Sequence, residues 1–102
     1  MHSALTSLHA KKKLNTMNYQ TIKKLQKYNG YSDIQSMIDS GIVWRMEGTM
    51  GRYAMDLLES GACMLPKKSH RDYYGNRIPS RDELQKGSKG TFENSVNFYS
   101  NY

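Results

Sequence analysis

The stretch Ile42-Val43-Trp44-Arg45-Met46-Glu47-Gly48-Thr49-Met50-Gly51-Arg52-Tyr53-Ala54-Met55-Asp56-Leu57-Leu58-Glu59-Ser60 decides how this chain folds. Projected at about 100° per residue, Ile42, Val43, Met46, Met50, Tyr53, Ala54, Leu57 and Leu58 fall within an arc of roughly 160°. Trp44, Gly48, Gly51 and Met55 border that arc, and only Arg45, Thr49, Arg52, Asp56 and Glu59 form a clearly polar sector. The spacing predicts one continuous helix over residues 42–60, apolar round most of its circumference and so covered on two sides by the rest of the chain. Gly48 and Gly51 each cost such a helix up to about 1 kcal/mol relative to Ala. Close approach of another segment beside Trp44 is the expected compensation.

Two shorter helices are predicted before this stretch. In the first, Tyr19, Ile22 and Leu25 recur at i, i+3 and i+6, and Asn29-Gly30 closes the pattern. The second opens with Ser32-Asp33-Ile34-Gln35, which reads as a capping box, turns Ile34, Met37 and Ile38 inward and stops at Gly41. The pattern Met37-Ile38-Asp39-Ser40-Gly41 returns as Leu57-Leu58-Glu59-Ser60-Gly61. Two helix ends with glycine in a left-handed cap explain that echo better than a duplication does.

After Gly61 the grammar changes. Ala62-Cys63-Met64-Leu65, ended by Pro66, is a strand or a buried loop. Asp72-Tyr73-Tyr74-Gly75-Asn76-Arg77-Ile78 predicts a tight hairpin with Gly75-Asn76 at the turn. Ser80-Arg81-Asp82-Glu83 reads as a second capping box leading a short helix to Gly87. From Thr91 to Tyr99 the chain alternates, with Phe92, Val96 and Phe98 on one face, as in an edge strand or a docking tail. The expected architecture is mainly α with small β elements (α+β), the helix 42–60 being packed by two N-terminal helices and a C-terminal hairpin and strand.

Composition narrows the functional classes. Ile, Leu, Val and Phe together number 17 of 102 residues, close to the lower limit for a folded core, and seven Met and eight Tyr make up part of the deficit. No run approaches the roughly 20 apolar residues that span a bilayer, so no membrane partner is expected. The single cysteine, Cys63, excludes an internal disulfide framework and fits a reducing, cytoplasmic setting.

The net charge of +6 is unevenly spread. Residues 1–30 carry six lysines and no acid, residues 31–65 sum to −3, and residues 66–102 sum to +3. Residues 1–16, with Lys11, Lys12 and Lys13 but no acid and no sustained periodicity, are expected to be a disordered basic leader before a single domain over 17–102, with Met17 as a candidate start. The apolar run Ala4 to Leu8 is too short, and its lysines lie on the wrong side, for a secretory signal.

Glu47 stands out because it falls between Ala54 and Leu58 on the wheel, inside the apolar arc, where an unpaired carboxylate is costly. The preferred reading is a core ion pair or hydrogen-bond acceptor at Glu47 that holds the 66–82 segment, with Arg71, Arg77 or Arg81 as donor; Trp44 and Arg52 are grouped with it as structural core and ion-pair residues. The alternative is a carboxylate of raised pKa doing acid–base or ligand chemistry. Trp44, the only tryptophan, reads as a packing anchor, with an aromatic platform for a ligand as its alternative.

Other motifs fail on their chemistry. Gly87-Ser88-Lys89-Gly90-Thr91 lacks the hydroxyl residue directly after its lysine and leads into no predicted helix, so it is no phosphate loop. His70-Arg71-Asp72 matches a kinase triplet in a chain far too short for a kinase. His2, His9, His70 and Cys63 have no zinc-ligand spacing, and Cys63 has no histidine placed to activate it. No catalytic set, metal site or cofactor is expected.

Nucleic acid is the remaining candidate partner. Lys67, Lys68, Arg71, Arg77 and Arg81, interleaved with Tyr73 and Tyr74, offer cations for phosphates and rings for bases. Asp72, Asp82 and Glu83 interrupt that set. A helix-turn-helix over Ile22 to Asp39 fits poorly, since Asn29, Ser36 and Asp39 fall where core side chains are needed. The expectation is therefore a small non-catalytic module acting through protein contact or self-association, with nucleic-acid binding through the loop 67–81 and the first-helix lysines Lys23, Lys24 and Lys27 as the alternative.

The runs Trp44-Arg45-Met46-Glu47-Gly48-Thr49-Met50-Gly51-Arg52 and Asp72-Tyr73-Tyr74-Gly75-Asn76-Arg77-Ile78-Pro79-Ser80-Arg81 resemble a group of small proteins of tailed phages and prophages, a domain of unknown function, over residues 31–91. The resemblance implies a compact cytosolic chain and no particular activity.

Overall fold

A computed structural model describes residues 17–101; the expected basic leader lies outside them. Asn18 opens helix α1 (Tyr19–Tyr28) with its side chain accepting from the Thr21 amide at 3.0 Å, and Gly30 at φ 83° turns the chain back. Helix α2 (Ser32–Ser40) ends at Gly41, also at φ 83°. These two helices match their sequence patterns. The α2 cap does not: Tyr31 is the N-cap, no side chain caps the helix, and Gln35 turns inward instead.

The continuous helix expected over residues 42–60 is broken. A 3-10 turn (Ile42–Arg45) follows Gly41, Met46 and Glu47 are extended, and helix α3 (Gly48–Ser60) begins only then. The break falls where glycine weakens the helix, just before Gly48, whereas Gly51 stays within α3. The turn after Gly41 buries Val43 and Trp44, while Ala54, Leu57 and Leu58 do so from α3. On one straight helix the two sets would share a face but Val43 and Leu57 would stand about 21 Å apart along the axis; the break lets both join one cluster. Because of this offset, Ile42, Met46, Tyr53 and Met55 remain exposed rather than covered.

Gly61, at φ 100°, caps α3, and the backbone then runs straight through the interior: residues 61–66 are all buried. A buried segment without a paired strand must satisfy its amides and carbonyls elsewhere, and side chains from three helices and from Arg81 do so. Ser95 Oγ donates to Gly61 O at 2.6 Å, and Tyr99 Oη and Gln26 Nε2 donate to Ala62 O at 2.6 and 3.1 Å. Gln35 pairs with both backbone groups of Met64, and Arg81 Nε donates to Leu65 O at 2.7 Å. This segment divides two apolar clusters. Ala62, Cys63 and Leu65 join Ile34, Ile38, Val43, Trp44, Ala54, Leu57 and Leu58, whereas Met64 joins Met17, Ile22, Val96 and Tyr99.

The predicted hairpin is present. Strand β1 (His70–Arg71) pairs antiparallel with β2 (Arg77–Ile78), His70 opposite Ile78 and Arg71 opposite Arg77. Gly75 supplies the positive φ at the turn, whereas Asn76 keeps φ negative. The Asp72 carboxylate holds the loop by accepting from the amides of Tyr74 and Asn76 at 2.9 and 2.8 Å.

Two further expectations are corrected. Residues 81–90 form turns rather than a short helix: Glu83 does reach back to the Ser80 amide at 2.8 Å, but Arg81 is drawn into the core. Thr91 to Tyr99 is no strand but the start of helix α4 (Phe92–Ser100), which Thr91 caps by accepting from the Asn94 amide. Its buried residues Ser95, Val96 and Tyr99 follow helical spacing; Phe92 and Val96 fit both periods, whereas Phe98 fits only the alternation and Tyr99 only the helix. The described residues form a mainly helical α+β fold with one two-stranded sheet. No described helix is long and apolar enough to cross a membrane.

Candidate functional site

The break before Gly48 and the hairpin together form a concavity. The Tyr73 amide donates to Trp44 O at 3.1 Å, tying the hairpin loop to the 3-10 turn. Beside this tie opens a groove of about 820 Å³, with Val43, Trp44 and Ile78 among its apolar lining. Met46, Met55, Tyr73 and Tyr74, four of the exposed large apolar side chains, also line it. The two tyrosine rings meet edge to face at 5.3 Å and are 74% and 84% exposed, so they project as a pair rather than packing down. Trp44 is buried, yet its indole Nε1 has no hydrogen-bond partner among the described residues.

Four charged side chains complete the lining. Arg45 and Arg52 are exposed and in no ion pair with a described residue; Arg52 lies over Gly48, where a Cβ would stand 3.3 Å from its Nη1. The Asp72 carboxylate is occupied by the hairpin amides. Glu47 is exposed, contrary to the core ion pair expected of it. The extended backbone at Met46 and Glu47 swings its side chain off the face that Ala54 and Leu58 bury.

The buried guanidinium is real but has another partner. Arg81, 6% exposed, donates to Asp39 Oδ1 at 3.0 Å as well as to Leu65 O. Its charge also lies 5.4 Å from the centre of the Tyr19 ring. Arg77 pairs at the surface with Glu83 at 2.6 Å. The Ser80 amide and Arg77 together hold the Glu83 carboxyl below its usual range. Arg52 joins neither pair.

The cations of the loop 67–81 therefore do not act as one surface. Arg81 is buried, Arg77 is paired, Arg71 Nη1 donates to Gly75 O at 2.8 Å, and Lys67 lies 4.9 Å over the Tyr19 ring. Tyr73 and Tyr74 belong to the groove. Lys68 is exposed.

Cys63 is buried, and burial first, then the charge of Asp39, pushes its thiol from the ordinary 9.0 to about 12. It is a packing residue at neutral pH. Among the described residues no three His, Cys, Asp or Glu side chains are grouped so as to hold a metal ion. A smaller cleft of about 420 Å³ near the end of α3 is lined by Ser60, Asn94, Asn97, Phe98 and Asn101. Two of its carboxamides are already spent, Asn94 on Leu58 O and Asn101 on Asn97 O.

Sequence reading missed Gln26, Gln35 and Asp39 as the polar frame of the core, and Met46 and Met55 as groove residues. A signal for the first existed: Gln26 lies four residues after Ile22, on the same helical face. Neither a family model, nor a curated protein, nor a solved structure matches the chain.

Proposed function

We propose that this protein is a small non-catalytic docking module that receives a peptide segment of a protein partner in the groove between the hairpin loop and the start of α3. The observation that carries this reading is the lining itself. Trp, Tyr, Met and Arg are the residue types enriched at the centres of protein interfaces, and Trp44, Tyr73, Tyr74, Met46, Met55, Arg45 and Arg52 meet in one concavity. The matching occupant presents an aromatic or aliphatic anchor next to a carboxylate. Two guanidiniums here have no ion pair with a described residue, whereas one of the two lining acids is consumed internally. The free, buried thiol suits a reducing compartment such as the cytoplasm.

The test is selection of peptides from a random display library on the full chain, followed by titration monitored through Trp44 fluorescence. Enriched peptides with an apolar anchor and an acidic neighbour, bound at least tenfold more weakly by Y73S/Y74S, support the proposal. Peptides that bind this double variant unchanged, or no enrichment over an unrelated basic protein, overturn it.

A further inference from the structure

Away from the groove, the fold brings two basic segments together around one ring. Lys23 Nζ lies 5.7 Å and Lys67 Nζ 4.9 Å from the centre of Tyr19, joining α1 to the loop after Pro66. Lys24, Lys27 and Lys68 extend the cluster along both segments, and all five lysines are exposed. The three ion pairs formed among the described residues are Arg77–Glu83, Arg81–Asp39 and Lys89–Glu59, so none of these lysines is neutralised there. No acid occurs in α1. Bringing unpaired like charges together opposes folding, and a polyanion would relieve that repulsion.

We infer that the Tyr19 face, with Lys23, Lys24, Lys27, Lys67 and Lys68, binds the phosphodiester backbone of a single-stranded nucleic acid. Tyr28, 89% exposed, stands half a turn round α1 from Tyr19 but beside Lys24, four residues before it, and supplies a ring at the edge of this face on which a base stacks. An anionic membrane fits less well, because an interfacial helix needs a free apolar face, and α1 already buries Ile22 in the core. Of the surface considered from sequence, Lys67, Lys68 and the lysines of α1 stay, whereas Arg71 and Arg77 are spent on partners within the fold and Arg81 is buried.

The experiment is fluorescence anisotropy of a labelled oligodeoxythymidine with the full chain over a range of salt concentrations. K23Q/K67Q is compared with K86Q/K89Q, which removes the same charge from the loop before α4. The first double variant is expected to flatten the plot of log affinity against log salt by roughly 1.4, the value for two lost phosphate contacts on a single strand, while the second leaves the plot nearly unchanged. Y28A is expected to weaken binding about fivefold or more, and Y28F to restore it. The inference is overturned by any of four results: no binding at low salt, equal losses in the two lysine variants, loss of binding in the groove variant Y73S/Y74S, or lysine-dependent binding to phosphatidylserine vesicles without binding to the oligonucleotide.

Discussion

The carboxamide of Gln35 pairs with Met64 as a neighbouring strand would: its Nε2 donates to Met64 O at 2.9 Å and its Oε1 accepts from Met64 N at 2.8 Å. The same side chain accepts from Gln26 Nε2 at 2.7 Å and donates to Asp39 Oδ1 at 3.0 Å. One residue of α2 thus links α1, the buried segment and the Arg81–Asp39 pair.

Q35L should therefore be severely destabilising although it adds apolar bulk. Both Met64 backbone groups would lose their partner, at about 1–3 kcal/mol for each buried group left unmade. A fall of about 2–4 kcal/mol in unfolding free energy by urea titration is expected. A change within about 0.5 kcal/mol would mean that water replaces the carboxamide.

Arg81 and Glu47 should contrast sharply. R81M strips Leu65 O of its donor and leaves Asp39 without its cation. Asp39 can still turn to water from its partly exposed position, so about 2–3 kcal/mol is expected rather than the full cost of an isolated buried charge. E47Q, at an exposed carboxylate, should leave the thermal midpoint within about 2 °C. Equal losses in the two variants would contradict the partner assignment.

Helix α4 can be tested through Gly61. A Cβ there would stand 2.7 Å from Asn94 O and 2.8 Å from Phe98 Cβ, at a φ of 100°. At Gly30 a Cβ meets nothing within 4 Å, and only its φ of 83° resists substitution. G61A should lower stability by at least about 2 kcal/mol more than G30A, because backbone on α4 cannot yield as a flexible side chain can. Similar losses would mean that α4 does not press on this turn.

The Cys63 thiol gives a pH signature. Its native pKa of about 12 lies above the ordinary 9.0, so between those values the unfolded chain releases a proton that the native state keeps. Stability falls as pH rises through that window and is unaffected by this group below it. C63A should flatten the alkaline decline in urea midpoint. Iodoacetamide at pH 8 should label the native chain far more slowly than the urea-unfolded one; equal rates would place the thiol at the surface.

Local patterns determined much of this protein. The spacing of Tyr19, Ile22 and Leu25, the inward set Ile34, Met37 and Ile38, the glycine ends at Gly41 and Gly61, and the hairpin loop at Gly75 are matters of short-range sterics and hydrogen bonding. Such interactions act within one helical turn or one tight loop, so a single sequence contains them. Tertiary structure decided the rest. Breaking the 42–60 pattern exposed Glu47 and opened the groove, because Val43 and Trp44 on one side of the break and Leu57 and Leu58 on the other had to reach a shared core. For Thr91–Tyr99, Phe92 and Val96 suited strand and helix alike, Phe98 only the strand and Tyr99 only the helix, and packing of Val96 and Tyr99 with Met64 selected the helix. Likewise, the choice of Asp39 for Arg81 and of Met64 for Gln35 depends on where a buried, unpaired backbone runs. That path emerges only when distant segments exclude water from it together.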